Sequence, residues 1–187
     1  KNIIASYTEE QKNAGILSVA DELIAQKENI LMENAKDITK AMANGMSAGL
    51  IDRLRLNDER INQMSEGLKE IISLPDPIGE ILETFKRPNE MIIEKCRVPL
   101  GVIGIIYESR PNVTADAFGL TFKTGNCVVL KGGSDAINSN IAITQAIKDG
   151  LKKANLCDDA IGLIQDTDRE TTKSFMTMKV YIDAAKA

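Results

Sequence analysis

Two apolar stretches decide the fold of this chain: Leu-Gly-Val-Ile-Gly-Ile-Ile-Tyr at 100–107 and Cys-Val-Val-Leu-Lys at 127–131. Both are rich in β-branched residues and almost continuously apolar, which is typical of strands buried on both faces of a parallel sheet. Helices are predicted over 112–122 and 139–153, and a third strand over 160–165. This alternation of strands and helices predicts a doubly wound α/β domain with a parallel sheet.

Polar capping signals predict where other helices begin. Thr8 and Gln11 have the spacing of a capping box, as do Thr167 and Glu170, and Asn57 has the residue type of an N-cap. Apolar residues at helical spacing predict the buried faces of the first two long helices. The residues expected to point inward are Ile16, Leu17, Ala20, Leu23 and Ile24 in the first helix, and Ile30, Leu31, Ala35, Ile38 and Met42 in the second.

These elements divide the chain into three expected parts. Residues 1–78 are predicted to be helical, and residues 99–187 to form the α/β unit. Between them, residues 79–98 contain two strand-like runs around a turn at 87–90, which predicts a β-hairpin. An exposed hairpin offers unpaired backbone groups to another copy. This segment is therefore a candidate oligomerisation element, and a homo-oligomer is expected.

The composition excludes several classes of function. The net charge is −4 and no block of Lys and Arg could neutralise a run of phosphates, so no nucleic-acid partner is expected. No apolar run approaches the roughly 20 residues of a membrane span, and no signal peptide is recognisable, so we expect a cytoplasmic protein without membrane association. The chain has no histidine, and its three cysteines lack metal-ligand spacing, so no metal site is expected.

Two loops lie where an open parallel sheet binds its ligands, beyond the carboxyl ends of the strands. They are 108–112 and 132–135, and each precedes a predicted helix. Helix N-termini and glycine favour a phosphate group there, and Arg110 and Lys131 could add positive charge. Taken alone, Arg110 and Lys131 are more typical of solvated surface residues, and neither the G-x-G-x-x-G fingerprint nor the Walker lysine pattern is present. The residues by themselves indicate a nucleotide site and no named reaction.

The segment 97–114, Arg-Val-Pro-Leu-Gly-Val-Ile-Gly-Ile-Ile-Tyr-Glu-Ser-Arg-Pro-Asn-Val-Thr, resembles the signature of the gamma-glutamyl phosphate reductases, a family of the aldehyde dehydrogenase superfamily. The segment 123–136, Lys-Thr-Gly-Asn-Cys-Val-Val-Leu-Lys-Gly-Gly-Ser-Asp-Ala, continues it in register. Supporting matches occur at 53–56 and 166–170, and the resemblance covers about residues 8–180.

The resemblance implies an aldehyde-dehydrogenase-like fold in which a Rossmann-like domain, together with the N-terminal helices, binds NADPH. It implies reduction of L-glutamate 5-phosphate to L-glutamate 5-semialdehyde and phosphate in proline biosynthesis, with that substrate as the expected partner and glutamate 5-kinase as a further one. Arg110 is a candidate for holding an anionic group of the substrate. The positions that match cofactor-binding residues of the family are Lys131, Gly132, Gly133 and Ser134. Asn112 matches the asparagine that donates to the oxyanion, although the residue alone is equally suited to cap the following helix.

The family's nucleophilic cysteine lies beside a histidine in a later catalytic domain, which is expected to be missing here. Cys127 is expected to be a buried structural thiol, and the family's Pro-Arg-Gly-Gly segment is absent. The final residues, 180–187, are either a true terminus or, in the interpretation that we favour, pieces of a longer chain joined where residues were left out. Two alternatives stay open. One is a truncated, non-catalytic nucleotide-binding or interaction module, and the other is the reductase part of a bifunctional kinase–reductase, for which no kinase sequence is visible.

Overall fold

The N-terminal helices begin where the capping residues predict. In the computed structural model, which describes residues 1–178 and 181–186, the Thr8 side chain accepts from the amide of Gln11, and the Gln11 side chain accepts from the amide of Thr8. Asn57 accepts from the amide of Arg60 at 2.8 Å, which confirms it as an N-cap. The helices before the first strand are α1 (Asn2–Ala5), α2 (Glu9–Ala25), α3 (Lys27–Ala43), α4 (Ala48–Leu54) and α5 (Asp58–Ser73).

The predicted hairpin is present. Strands β1 (Ile81–Lys86) and β2 (Ile92–Cys96) pair antiparallel, and Glu90 adopts a positive φ of 66° in the turn between them. Every residue of both strands is exposed. The hairpin therefore gains little burial from the rest of the chain, although its apolar side chains are well suited to a sheet.

A second sheet contains four parallel strands in the order β5-β4-β3-β6. These strands are β3 (Val102–Ile106), β4 (Cys127–Lys131), β5 (Ile161–Leu163) and β6 (Ala184–Lys186). The helices that follow β3, β4 and β5 are α6 (Asn112–Lys123), α7 (Ile137–Lys153) and α8 (Arg169–Thr177). The doubly wound α/β prediction is confirmed, but the sequence did not indicate β6. It lies within the segment interpreted as joined pieces, of which residues 180 and 187 fall outside the described part.

The predicted start of α8 is wrong by one residue. Asp168, rather than Thr167, is the N-cap, and its carboxylate accepts from the amide of Glu170 at 3.1 Å. Asp166 accepts from the hydroxyl of Thr171 at 2.6 Å and from the amide of Asp168 at 2.9 Å. The two aspartates thus take the capping contacts that the Thr167–Glu170 spacing suggested for Thr167.

The core lies between the parallel sheet and the N-terminal helices, with Phe118 and Phe122 of α6 fully buried near its centre. The buried apolar face of α5 consists of Ile61, Met64, Leu68 and Ile71. The predicted inner face of α3 is wrong in part. Met42 and Ala35 are exposed, and Asn34 and Asp37 are buried instead. In α2, Leu17 and Ile24 were also expected inside and are exposed. The buried face of α3 differs from the predicted one because Asn34 and Asp37 form hydrogen bonds with residues on α7 and near α4. These hydrogen bonds, rather than the spacing of apolar residues, determine which side of the helix is buried.

Within residues 1–178 and 181–186, no helix combines the length and the apolar character that crossing a bilayer requires.

Candidate functional site

A cavity of about 410 Å³ lies beyond the carboxyl ends of β3 and β4. We call it the loop cavity; residues 106–110 and 131–135 form its floor, and Arg53 of α4 and Thr167 contribute to its walls. Parallel strands end at the same edge of a sheet, so the two predicted loops meet there. The structure thereby brings Arg110, Lys131, Gly132, Gly133 and Ser134 together around one cavity.

Lys131 is the last residue of β4, and only 4% of its surface is exposed. In the part of the chain that the structure describes, its ammonium group has no hydrogen-bond or ion-pair partner, yet it lines the loop cavity. The expectation of a solvated surface residue is wrong for Lys131, whereas it is confirmed for Arg110, which is exposed. The ammonium nitrogen is not among the buried polar atoms that lack a partner, so the buried part of Lys131 is its apolar stem and the charged group opens onto the cavity. The position of Lys131 therefore favours a ligand that supplies oxygen acceptors or negative charge.

Position 132 is occupied by glycine because the side chains of Asn140 and Tyr107 leave no room for a Cβ atom. A Cβ atom there would lie 2.3 Å from Nδ2 of Asn140 and 3.3 Å from the ring of Tyr107. Asn140 is fully buried, and no acceptor among the described residues reaches its Nδ2 atom. Gly133 has more room, since its Cβ would meet the hydroxyl of Ser109 at 3.1 Å. The loop therefore packs directly on a buried polar group, and Ser134 remains exposed beyond it.

Tyr107 connects this loop to α6. Its hydroxyl lies 2.7 Å from Oγ1 of Thr114, which in turn donates to Oδ1 of Asn140 at 3.2 Å. Burial disfavours the phenolate and raises the pKa of Tyr107 to about 12, against the opposing effect of the Thr114 hydrogen bond. The phenol is thus a neutral structural group at any physiological pH.

The N-terminus of α7 is already occupied by a carboxylate of the protein. Asp37, buried in α3, accepts from the amide of Ser139 at 2.8 Å, from its hydroxyl at 2.6 Å and from Nδ2 of Asn138 at 2.8 Å. The amide of Ser139 belongs to the first turn of the helix, where a phosphate would otherwise be favoured. The expectation that this helix terminus seats a phosphate is therefore not supported.

A second cavity, of about 310 Å³, adjoins the first and shares Arg53 and Arg110 with it. We call it the arginine cavity, because Arg55 and Arg60 also line it. Its other charged residues are Asp52 and Asp116. In the sequence, Arg53 and Arg55 belong to a supporting match and no role was predicted for them. The alternation of arginine with leucine at 53–56, between two helix starts, was the available signal.

Asn112 lines the arginine cavity at the first residue of α6. The N-cap position belongs to Pro111 and no side chain caps the helix, so the capping role considered for Asn112 is wrong. Its Nδ2 atom instead donates to Oδ2 of Asp116 over a long 3.4 Å. Although Asp116 is exposed as a residue, burial of its carboxyl raises its pKa, while the Asn112 contact acts in the opposite direction.

The three cysteines lie away from both cavities. Cys127 is buried in β4 as predicted, Cys96 is exposed on β2, and Cys157 is half-buried before β5. None of them lines the loop cavity or the arginine cavity. Among the described residues, no group of three or more Cys, Asp or Glu side chains is arranged to hold a metal ion.

Nearly the whole chain is similar to known proteins, both in sequence and in structure. The chain is 53% identical over 174 residues to a gamma-glutamyl phosphate reductase from Lachnospira eligens, covering 93% of this chain and 42% of that protein. The crystal structure of gamma-glutamyl phosphate reductase from Thermotoga maritima superposes with a TM-score of 0.96 at 38% identity, over 100% of this chain and 45% of that one. The chain belongs to the gamma-glutamyl phosphate reductase family over the residues it spans. It covers less than half the length of these relatives. No protein-family model matches it.

More distant structures share the fold. A probable aldehyde dehydrogenase from Listeria monocytogenes has a TM-score of 0.73 at 17% identity, over 97% of this chain and 37% of that one. A glyceraldehyde-3-phosphate dehydrogenase from Methanocaldococcus jannaschii, solved in complex with NADP, has a TM-score of 0.66 at 18% identity, over 100% of this chain and 38% of that one. The chain therefore shares the fold of these aldehyde dehydrogenases over the segment that it covers.

Proposed function

We propose that this chain supplies the cofactor-binding half of an NADPH-dependent reductase that converts L-glutamate 5-phosphate to L-glutamate 5-semialdehyde and phosphate in proline biosynthesis. The observation that carries the proposal is Lys131, a buried residue whose ammonium group has no partner in the described chain and lines the loop cavity. Family membership supports the reaction, and the loop cavity supports the cofactor.

The residues present fit a nicotinamide cofactor. Lys131 would donate to oxygens of the adenosine ribose or its 2′-phosphate, and the 132–134 backbone would line the same ligand. The NADP complex of the related Methanocaldococcus jannaschii enzyme is consistent with such a ligand in this fold. When bound, NADPH supplies the hydride that the reduction consumes.

Asn112 and Arg110 lie on the side of the site that faces the arginine cavity. We infer that the Asn112 amide donates to the oxyanion that forms at the substrate carbonyl, because a fixed donor is most effective where negative charge develops. The Arg110 guanidinium would hold an anionic group of the substrate. The nucleophilic cysteine is proposed to come from outside this chain, since none of its three cysteines lines either cavity.

A non-catalytic nucleotide-binding or interaction module is the second candidate, and the position of the cysteines favours it. A nucleotide-binding module predicts cofactor binding as the reductase does, an interaction module does not, and only the reductase predicts turnover. Assembly through the exposed 79–98 hairpin and association with glutamate 5-kinase stay predictions, which light scattering of the full-length protein, alone and with the kinase, would test.

The cofactor assignment is tested by Lys131→Ala in the full-length protein, with NADPH binding followed by fluorescence titration. Loss of a charge-assisted contact, worth roughly 1.5–3 kcal/mol, is expected to weaken NADPH about 10- to 100-fold. Lys40→Ala, which removes a lysine exposed on α3, is the matched control and is expected to bind like the unmodified protein. Unchanged affinity in Lys131→Ala, with a native circular dichroism spectrum, would remove the cofactor assignment. Phosphate-dependent reduction of NADP by glutamate 5-semialdehyde, measured in parallel, separates the reductase from the binding module.

A further inference from the structure

Positive charge is concentrated in the arginine cavity although the chain as a whole has a net charge of −4. Four arginines and two aspartates line the cavity, which leaves it with a net charge of +2. Within the described residues, the guanidinium groups of Arg53, Arg55 and Arg110 have no hydrogen bond and no carboxylate within 4.0 Å; Arg60 is the paired one. Three uncommitted guanidinium groups around one concavity are suited to an anion with several oxygens.

The segment that carries Arg53 and Arg55 is held rigidly from inside the protein. Asn34, buried in α3, donates from Nδ2 to the carbonyl of Leu54 at 2.9 Å and accepts at Oδ1 from the amide of Leu56 at 2.8 Å. Leu54 and Leu56 are buried, so the residues that alternate with them project outward. The two arginines therefore line the cavity because their neighbours and their backbone are fixed on the opposite side.

Arg60 differs from the other three arginines because its guanidinium group is bound within the protein. It donates to the backbone carbonyls of Asp52 and Arg55, the latter at 2.5 Å, and pairs with the Asp52 carboxylate at 3.3 Å. A cation at this place satisfies carbonyls at the C-terminal end of α4. Arg60 is therefore a positioning residue that fixes the 53–55 segment, and its charge is already partly neutralised.

The N-terminus of α6 adds to the attraction for an anion. No acidic residue lies in its first turn and no side chain caps it, whereas the N-terminus of α7 is occupied by Asp37. The positive end of α6 therefore remains uncompensated at Asn112, which lines the arginine cavity. Asp116 provides one acceptor in the same cavity, which suits a ligand that also carries an ammonium group.

We propose that the arginine cavity binds an anionic group of the reductase substrate, a carboxylate or a phosphate, through Arg53 and Arg55 together with Arg110. This rests on the proposed function, which supplies a substrate carrying both groups. Arg53 and Arg55 thereby determine specificity for an acidic substrate. The loop cavity, on the other side of Arg53 and Arg110, remains available to the cofactor.

The test compares Arg53→Gln and Arg55→Gln with Lys40→Gln, which removes an exposed cation on α3 that lines neither cavity. In the full-length protein, the reverse reaction gives separate KM values for phosphate and for glutamate 5-semialdehyde. Each cavity variant is expected to raise one of these KM values about tenfold. Arg55→Gln is also expected to leave the affinity for NADPH unchanged, because Arg55 lines the arginine cavity and not the loop cavity. A rise for phosphate identifies a phosphate site, and a rise for the semialdehyde identifies a carboxylate site. Arg53→Lys and Arg55→Lys should recover only part of the effect, because a point charge replaces a two-pronged donor.

Direct binding keeps the inference testable without turnover. Inorganic phosphate and L-glutamate are titrated separately and followed by nuclear magnetic resonance of the arginine side chains. Binding of either probe that is lost in both cavity variants and retained in Lys40→Gln supports the proposal, even if the protein does not catalyse the reduction. Unchanged KM values in an active enzyme, or no variant-sensitive binding of either probe in an inactive one, would overturn it.

Discussion

Asp37 joins α3 to the N-terminus of α7, and replacing it with alanine is the most direct test of how the loop cavity is supported. The carboxylate is 1% exposed and accepts from the amide and hydroxyl of Ser139 and from the amide and side chain of Asn138. Ser139 is itself fully buried, so water cannot replace the carboxylate without rearrangement of the core. The substitution leaves these donors facing a space that held a charge.

The cost follows from those donors. Loss of an N-terminal capping group costs about 1 kcal/mol, and each buried donor left unsatisfied costs about 1–3 kcal/mol. With the amide and hydroxyl of Ser139 orphaned, the free energy of unfolding should fall by roughly 3–5 kcal/mol, in the range observed when one partner of a buried charged network is removed. For a chain of this length, such a loss corresponds to a decrease in Tm of roughly 6–20 °C.

Urea unfolding followed by circular dichroism measures this change, with Asp21→Ala as the control. Asp21 is exposed on α2, so its replacement should change the free energy of unfolding by less than about 0.5 kcal/mol. Asp37→Asn keeps the shape but places an NH2 group among donors, and an intermediate loss is expected. A loss below about 1 kcal/mol in Asp37→Ala would refute the reasoning, since it would mean that water or a shifted side chain satisfies Ser139.

Two further predictions concern the loop cavity. The phenol of Tyr107 has a pKa of about 12 in the folded protein and roughly 10 in the unfolded chain, so its contribution to stability is present below pH 10 and is lost as pH rises through 12. Between pH 10 and pH 12, unfolding titrations should show that Tyr107→Phe loses about 2 kcal/mol less stability than the unmodified protein. Parallel losses in the two proteins would contradict the burial argument. Gly132→Ala should destabilise the protein by roughly 1–3 kcal/mol and weaken NADPH binding, because its Cβ would lie 2.3 Å from Nδ2 of Asn140. Gly133→Ala is the milder matched change, since its Cβ would lie 3.1 Å from the hydroxyl of Ser109. Equal effects of the two substitutions would show that the side chain of Asn140 moves to make room for the new methyl group.

Local signals predicted most of the fold. The strands β3 and β4 are readable because a strand buried on both faces must be apolar at every position, which leaves a continuous run in the sequence. The caps at Thr8 and Asn57 are readable because the acceptor and the amide that it satisfies are only three residues apart. Strand β6 has three residues and depends on pairing with Ile103 and its neighbours, so nothing within it marks it as a strand.

The inward position of Asn34 and Asp37 could not be predicted, because their partners are distant in sequence. Ser139 lies 105 residues from Asn34 and 102 from Asp37. Periodicity assumes that polar side chains seek water, and this assumption fails when the protein itself provides every hydrogen bond. The burial of Lys131 was not predicted either, because a lysine at the end of a strand is normally exposed to solvent.

The two unpredicted residues of α3 also explain how the cavities keep a fixed geometry. Asn34 and Asp37 are one turn apart and both contact the hydroxyl of Ser139, at 2.9 Å and 2.6 Å. Asn34 fixes the backbone beside Arg53 and Arg55, and Asp37 fixes the start of α7 directly after the glycine loop. The arginine cavity and the loop cavity thus share one buried support. A substitution at Ser139 should therefore disturb both substrate and cofactor affinities, although this residue lines neither cavity.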